Sequence, residues 1–148
     1  MPTIAETFMK TRYLLCFVLI CFVITALADG ESGNAKAIQG VWIPEKAELG
    51  GKPFKTNFTL KFDGDKYEVA AENLDKGTYK LDPAAKPKTL DITGVEGPNA
   101  GRKIQGIYEL ENDTLRICYG LAGSARPTEF KSPPGTRTFL VTYKRKKT

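Results

Sequence analysis

The sequence predicts an all-β protein, an eight-stranded antiparallel up-and-down barrel, from three observations. Apolar and polar residues alternate with a period of two along eight short segments. Turn residues such as Asp63-Gly64-Asp65 and Glu111-Asn112-Asp113 separate neighbouring segments, which is typical of hairpins. No segment reads as a crossover helix, and a helical turn is predicted only over Asn34 to Gln39. Closure of the barrel would remove the sheet edges that otherwise promote aggregation. The alternative fold is an open or split sandwich.

The first four predicted strands each place apolar or aromatic residues on one face. The first spans about Ile38 to Ile43 and contains Gly40-Val41-Trp42. Pro44 should end this strand or lie on a bulge, because proline has no N–H to donate to the sheet. The fourth strand opens at Gly77. The inward residues predicted for strands two to four are Phe58, Leu60, Phe62, Tyr67, Val69, Tyr79 and Leu81.

The last four predicted strands repeat this pattern. A link from Pro83 to Pro87 leads to the fifth strand, and the turn from Glu96 to Asn99 precedes the sixth. A long loop from Gly120 to Thr136 separates the seventh strand from the eighth. The predicted inward residues are Leu90, Ile92, Ile104, Gly106, Tyr108, Leu110, Leu115, Ile117, Tyr119, Phe139, Val141 and Tyr143.

The N-terminal segment has the features of a secretory signal. Lys10 and Arg12 precede an apolar run that ends in the small-x-small sequence Ala26-Leu27-Ala28. The run from Leu14 to Ala28 has 15 residues, whereas a membrane-spanning helix needs about 20. We therefore expect a signal peptide over residues 1–28, a single domain over 29–148, and a secreted or periplasmic location after cleavage near Ala28. An uncleaved membrane anchor is the alternative.

Charge and cysteine content constrain the partners of the predicted domain. The chain carries a net charge of +5, and Lys144-Arg145-Lys146-Lys147 concentrates basic residues near the C-terminus. We expect a solvated basic tail with at most weak contact to an anionic envelope surface. Cys118 is the only cysteine after residue 28. We expect a monomer in which it is a small half-buried residue on a strand; a disulfide between two chains is the alternative. No strand has the aromatic and basic face that nucleic-acid binding requires.

The sequence offers little for catalysis or metal binding. It contains no histidine, which removes the commonest general base and the commonest metal ligand. Ser32, Ser124 and Ser132 lie in turn-like sequence, and Asp63-Gly64-Asp65 lacks the ligand spacing of a calcium loop. We therefore expect a protein that is not an enzyme and that uses neither a metal nor a cofactor.

Six motifs in a fixed order carry a family resemblance. They are Ile38-Gln39-Gly40-Val41-Trp42, Phe62-Asp63-Gly64-Asp65-Lys66-Tyr67, Gly77-Thr78-Tyr79-Lys80-Leu81-Asp82, Lys86-Pro87-Lys88-Thr89-Leu90-Asp91-Ile92, Gly106-Ile107-Tyr108-Glu109-Leu110 and Arg126-Pro127-Thr128-Glu129-Phe130. With these motifs the chain resembles an uncharacterised lipocalin-like family of exported domains best known from planctomycete bacteria. The resemblance implies a β-barrel of lipocalin type and implies no activity.

The resemblance to lipocalins also implies how one end of the barrel closes. In such barrels a basic side chain near the last strand packs over the tryptophan of the Gly-x-Trp motif. Here Arg145 or Lys144 would lie over Trp42 and make a cation–π contact.

The inward aromatic residues suggest a binding function. We expect a small apolar or amphipathic ligand inside a partly filled barrel. The alternative is a solid barrel that acts as a protein-interaction or envelope-structural module through its long loop and basic tail. The predicted ligand contacts are Phe58, Phe62, Tyr67, Tyr79 and Tyr108.

The long loop contains one segment whose sequence is too specific for a simple spacer. It carries Arg126, Glu129 and Phe130. We expect this segment to lie over the barrel mouth. It is either a lid that gates a ligand, or a structural plug in which Arg126 and Glu129 hold the loop while Phe130 fills the barrel.

Overall fold

The computed structural model describes residues 32–148, so the predicted signal and its cleavage site lie outside the described residues. A short helix at residues 32–37 comes first, close to the predicted helical turn. No helix within 32–148 is long and apolar enough to cross a membrane. The strands of this part are β1 (Gly40–Leu49), β2 (Lys52–Pro53), β3 (Thr59–Asp63), β4 (Lys66–Ala70), β5 (Leu74–Asp82), β6 (Thr89–Glu96), β7 (Lys103–Glu111), β8 (Thr114–Gly120) and β9 (Thr138–Arg145).

The strands form one antiparallel sheet that closes on itself. Their order is β2-β1-β3-β4-β5-β6-β7-β8-β9, and β1 also pairs with β9. The two-residue β2 pairs only with the end of β1, so β1 and β3 to β9 make the closed wall. Trp42 shows the closure within one residue, because it pairs with Leu60 of β3 and Arg145 of β9. The predicted eight-stranded up-and-down barrel is confirmed, and the sandwich alternative is wrong.

Strand β1 runs past its proline and bends there. The register between β1 and β9 shifts between Pro44 and Lys46, which confirms the predicted bulge. A bulge adds a residue to one strand and increases its local twist. Beyond it, Ala47 pairs with Val141 and is buried, so the second half of β1 still contributes to the core.

The barrel has two different ends. The β3–β4, β5–β6 and β7–β8 hairpins, together with the helix at 32–37, lie at the end where β1 begins and β9 ends. Trp42 is fully buried here, and its Nε1 donates to the Ile38 carbonyl at 2.8 Å. The Arg145 guanidinium lies over the Trp42 ring, 4.2 Å from its centroid. We call this the closed end.

Arg145 connects three parts of the closed end. Its Nη1 and Nη2 donate to the carbonyls of Gln39 and Ala37, each at 2.6 Å, and its Nε donates to Asp113 at 3.1 Å. These partners belong to the connection into β1 and to the β7–β8 turn. The rigid fork of the guanidinium suits this set of partners, whereas an ammonium group does not. Lys144 instead donates to Thr114 on the outer surface.

Only part of the basic run is a tail. Strand β9 extends through Arg145, and the Lys146 N–H donates to the Val41 carbonyl at 2.8 Å. The expected solvated tail is therefore shorter than the sequence predicts. The pairing of β9 with β1 accounts for this difference, because it holds the first basic residues in the sheet.

The contacts of Arg145 with Trp42, Ala37, Gln39 and Asp113, which we call the Arg145 clamp, generate a stability prediction. We expect Arg145→Ala to lower the free energy of unfolding by about 3 kcal/mol, because a cation–π contact and three hydrogen bonds to the charged guanidinium are lost. Urea denaturation followed by the fluorescence of the single tryptophan measures this change. Lys144→Ala is the control, with an expected change below about 0.5 kcal/mol. Equal losses in the two variants would contradict the clamp.

Candidate functional site

A cavity of about 700 Å³ occupies the half of the barrel opposite the closed end. It lies where β1, β4, β6 and β8 end, and its mouth is bordered by residues 53–58, the 71–73 turn, Pro98-Asn99 and Leu121. The volume falls within the range of small-molecule sites, about 300–1,000 Å³. Wall residues that face the cavity include Leu60, Tyr67, Val69, Ile92, Ile104 and Tyr119.

Aromatic rings surround the mouth. Phe139 of β9 contacts Phe54 edge-to-face at 5.1 Å between ring centroids and stacks against Tyr119 at 6.1 Å. Phe58 lies 6.4 Å from Phe139 and 6.3 Å from Tyr143. The Phe54 N–H donates to the Ala47 carbonyl at 2.8 Å, which holds this segment against β1. The segment at 53–58 therefore adds two rings to the mouth without belonging to the barrel wall.

The carboxylate of Asp75 lies among these aromatic rings. Asp75, at the start of β5, lines the cavity and is only 6% exposed. It accepts hydrogen bonds from the Tyr67 hydroxyl at 3.2 Å, the Asn99 N–H at 3.1 Å and the Asn99 side-chain amide at 2.8 Å. These neutral donors offset part of the cost of burying the group. Among residues 32–148, Asp75 has no ion-pair partner.

The cavity tyrosines are held in their neutral form. Burial raises the pKa of Tyr67, and the nearby charge of Asp75 raises it further. Burial also raises the pKa values of Tyr119 and Tyr143. Near neutral pH these hydroxyls are uncharged, so they can donate to a ligand or to each other.

The structure divides the predicted ligand contacts into two groups. Phe58 and Tyr67 line the cavity, whereas Phe62, Tyr79 and Tyr108 do not, and the prediction for these three is corrected here. Phe62 packs against Tyr79 with ring centroids 4.5 Å apart. All three fill the half of the core near the closed end. Period-two alternation identifies the inner face of a strand but not the height of a residue along the barrel axis.

Hydroxyl contacts hold two of these tyrosines at the closed end. Tyr79 donates to the Gly64 carbonyl at 2.8 Å and accepts from Gln39 at 2.9 Å. Tyr108 donates to the Asn34 side chain at 3.3 Å, which links β7 to the first helix. These residues stabilise the closed half of the core and leave the open half to the cavity.

Sequence reasoning missed the polar centre of the site. Sequence alternation does not identify Asp75, because the predicted fourth strand opens at Gly77 whereas β5 begins at Leu74. Extending the alternation from Tyr79 back through Gly77 would have placed Asp75 on the inner face. Asn99 and Phe54 lie outside the regular strands, so no periodic signal could find them.

Gly77 also marks a position that sequence alternation cannot explain. A Cβ atom built there would lie 2.0 Å from the Thr93 carbonyl oxygen and 2.7 Å from the Tyr67 ring. The register between β5 and β6 shifts between Lys76 and Gly77, so the two backbones approach closely at this bulge. The extra residue of the bulge is Val95 of β6, and the glycine lets β6 approach β5 closely two residues after Asp75.

The long loop, residues 121–137, does not cover the mouth. Arg126 pairs with Asp91 at 2.7 Å and donates to the Gly106 carbonyl at 2.8 Å. Phe130 lies under the guanidinium of Arg116, 4.9 Å away. Asp91 and Arg116 alternate with inward residues and so point outward. The loop therefore packs on the outer wall. Arg126 holds the loop down, as one of the two alternatives predicts, whereas the predictions of a lid over the mouth and of Phe130 as a plug of the barrel are corrected.

The reason for this position is an apolar strip on the outer wall. Ile107 and Cys118 pair across β7 and β8 on their outward faces, yet they are 1% and 0% exposed. Cys118 donates its thiol to the Lys131 carbonyl, and burial raises the pKa of this thiol. Burying this apolar surface stabilises the folded loop. Cys118 lies on a strand as predicted, and it is fully buried where the sequence predicts half-burial, because the long loop covers it.

The rest of the loop is fastened by polar contacts. Glu129 pairs with Lys131 on the exposed surface at 2.9 Å and does not contact the cavity. Ser132 is buried; it donates to the Thr138 carbonyl at 2.7 Å and accepts from the Gly51 N–H at 3.2 Å. Of the loop, Leu121 alone reaches the lining of the cavity.

The described residues offer no built metal centre. Within 32–148, no group of three or more His, Cys, Asp or Glu side chains is placed to hold a metal ion. The polar groups of the cavity are the buried carboxylate of Asp75, amides and phenols, with Lys55 and Glu72 at the mouth, and these suit hydrogen bonding and charge pairing with an organic molecule.

Comparisons with known proteins identify no family for the chain. No family model matches it, and no solved structure matches it. A protein translocase subunit SecA from Mycoplasmoides gallisepticum is 33% identical over 78 residues, which is 53% of this chain and 8% of that protein. The chain thus matches only a small part of that relative.

The buried tyrosines generate a pH prediction. Burial raises the pKa of Tyr108 to about 12, whereas an unfolded tyrosine ionises near 10. Between about pH 10 and 12 the folded state therefore binds more protons, and the free energy of unfolding should fall by about 1.4 kcal/mol per pH unit for each such tyrosine. Urea denaturation at a series of pH values measures the slope. It should become shallower in Tyr108→Phe, and an unchanged slope would count against this assignment.

Proposed function

We propose that this protein binds a small apolar or amphipathic molecule in the cavity at the open half of its barrel. The observation that supports this most directly is the cavity itself, about 700 Å³ in volume and lined by rings and aliphatic side chains. Sites for small molecules have this character, with a few polar groups that orient the ligand. Asp75 and Tyr67 are such groups here.

The distribution of aromatic residues supports the same proposal. Closed-end rings such as Phe62 and Tyr79 contact each other closely, whereas Phe54, Phe58 and Phe139 border an open space. The core is therefore stabilised in one half, and the other half is free to accept a ligand. The alternative, an interaction module with a solid barrel, is less well supported, because a cavity of about 700 Å³ opens into one half of this barrel.

We further propose that the protein is exported, acts as a monomer, is not an enzyme and belongs to the lipocalin-like family that its motifs resemble. These statements extend the sequence predictions. The barrel fold and its Gly-x-Trp clamp are compatible with them.

A cavity-filling substitution tests the binding proposal. The probe is N-phenyl-1-naphthylamine, an uncharged fluorophore, and we expect the unmodified chain to bind it with a Kd of roughly 1–100 µM. Val69 of β4 faces the cavity, and Val69→Trp would place an indole in that space. We expect this variant to bind the probe at least about tenfold more weakly.

The matched control is the same substitution outside the barrel. Val95 of β6 is 67% exposed, and we expect Val95→Trp to leave probe affinity unchanged. Thermal unfolding of both variants verifies that they fold. A folded Val69→Trp variant with unchanged affinity, or an unmodified chain that binds no probe, would overturn the proposed function.

A further inference from the structure

We propose that the cavity selects organic cations, meaning molecules that join an amine or quaternary ammonium group to an apolar portion, with the charged group seated between Asp75 and the surrounding rings. This inference rests on the proposed function and specifies the ligand class of the same site.

The charge of the cavity wall is the first observation. Asp75 lies close to the mouth, where Asn99 covers it; it is nearly fully buried, and no lysine or arginine among residues 32–148 pairs with it. The other charged lining residues, Lys55 and Glu72, border the mouth and have opposite signs. The interior therefore carries one uncompensated negative charge, which a ligand cation would neutralise.

The geometry of Asp75 fixes the position of that charge. Its oxygens accept from Tyr67 and from the backbone and side chain of Asn99. The carboxylate is thus held from two sides, by β4 and by the β6–β7 turn. A carboxylate has about four acceptor positions, so three donors leave capacity for one more. A ligand N–H can use that position without displacing a protein donor.

The rings provide the second attraction. Five aromatic side chains line the same cavity: Phe58, Tyr67, Tyr119, Phe139 and Tyr143. Aromatic faces carry partial negative charge and attract ammonium groups, most strongly where water is excluded. Tyr67 and Tyr119 are neutral phenols near neutral pH, so they offer ring faces to a cation and add no charge of their own to the cavity.

The same features disfavour an anionic ligand. A fatty-acid carboxylate seated between Asp75 and the surrounding rings would lie beside a like charge in surroundings that screen charge poorly. Its head could avoid this only on the side of the mouth that carries Lys55. Ligands with the same alkyl chain and different head groups should therefore distinguish a preference for cations from a preference for anions.

The test is displacement of N-phenyl-1-naphthylamine by octylamine, octanol and octanoate near neutral pH, on protein purified from cells that express the full chain. We expect octylamine to displace the probe at a concentration about tenfold lower than octanol, a factor worth 1.4 kcal/mol. Octanoate should be the weakest of the three. Because the alkyl chains match, differences report the head group.

A charge-removing variant links the preference to Asp75. In Asp75→Asn the side chain keeps its shape and an acceptor oxygen, and octylamine and octanol should then act at concentrations within about threefold of each other. Asp63→Asn is the matched control, because Asp63 is an exposed residue that pairs with Lys61 outside the cavity. This variant should keep the full preference for octylamine.

The outcomes distinguish the two proposals. Probe binding with equal displacement by all three ligands, or with octanoate the strongest, overturns the cation preference and leaves the binding function intact. Preference for octylamine that survives in folded Asp75→Asn overturns the role of Asp75. Absence of probe binding overturns the proposed function itself. The three-ligand comparison on the unmodified chain stands even where Asp75→Asn fails to fold.

Discussion

The pairing of β1 with β9 is the constraint on which the rest of the structure depends. It joins the first and last strands of the sheet, so every intervening hairpin must curve to allow it. Arg145 strengthens this joint from the side, because it lies on the Trp42 ring and bonds to carbonyls just before β1. The joint is therefore made of backbone ladder, cation–π contact and charge-assisted hydrogen bonds together.

Closure at this joint also explains why the barrel is filled unevenly. Trp42, Phe62, Tyr79 and Tyr108 occupy the interior near the joint, and their hydroxyls and indole N–H find partners there. No buried side-chain polar atom among the described residues lacks a partner. With stability concentrated at one end, the opposite end can hold an open cavity and a buried carboxylate. Such groups cost folding energy and are typical of binding sites.

The sequence predicted the fold well and the site only in part, for physical reasons. Alternation identifies strands and inner faces, so eight strands, the Pro44 bulge and the position of Cys118 on a strand could be foreseen. Height along the barrel axis depends on register and shear, which explains why Phe62 and Tyr108 were placed in the site. Asp75 depends on where β5 begins, and strand ends carry the weakest periodic signal.

The outer position of the long loop has a consequence for the kinetics of binding. Swinging this loop over the mouth would break the Arg126–Asp91 pair and expose Ile107 and Cys118 to water. The ligand that we propose would therefore enter and leave past the segment at 53–58 and the short turns opposite it. That segment is fastened at the mouth by one backbone hydrogen bond and ring contacts. Residence time would then be set by the ligand's own contacts at depth, and no large protein motion need limit its exchange.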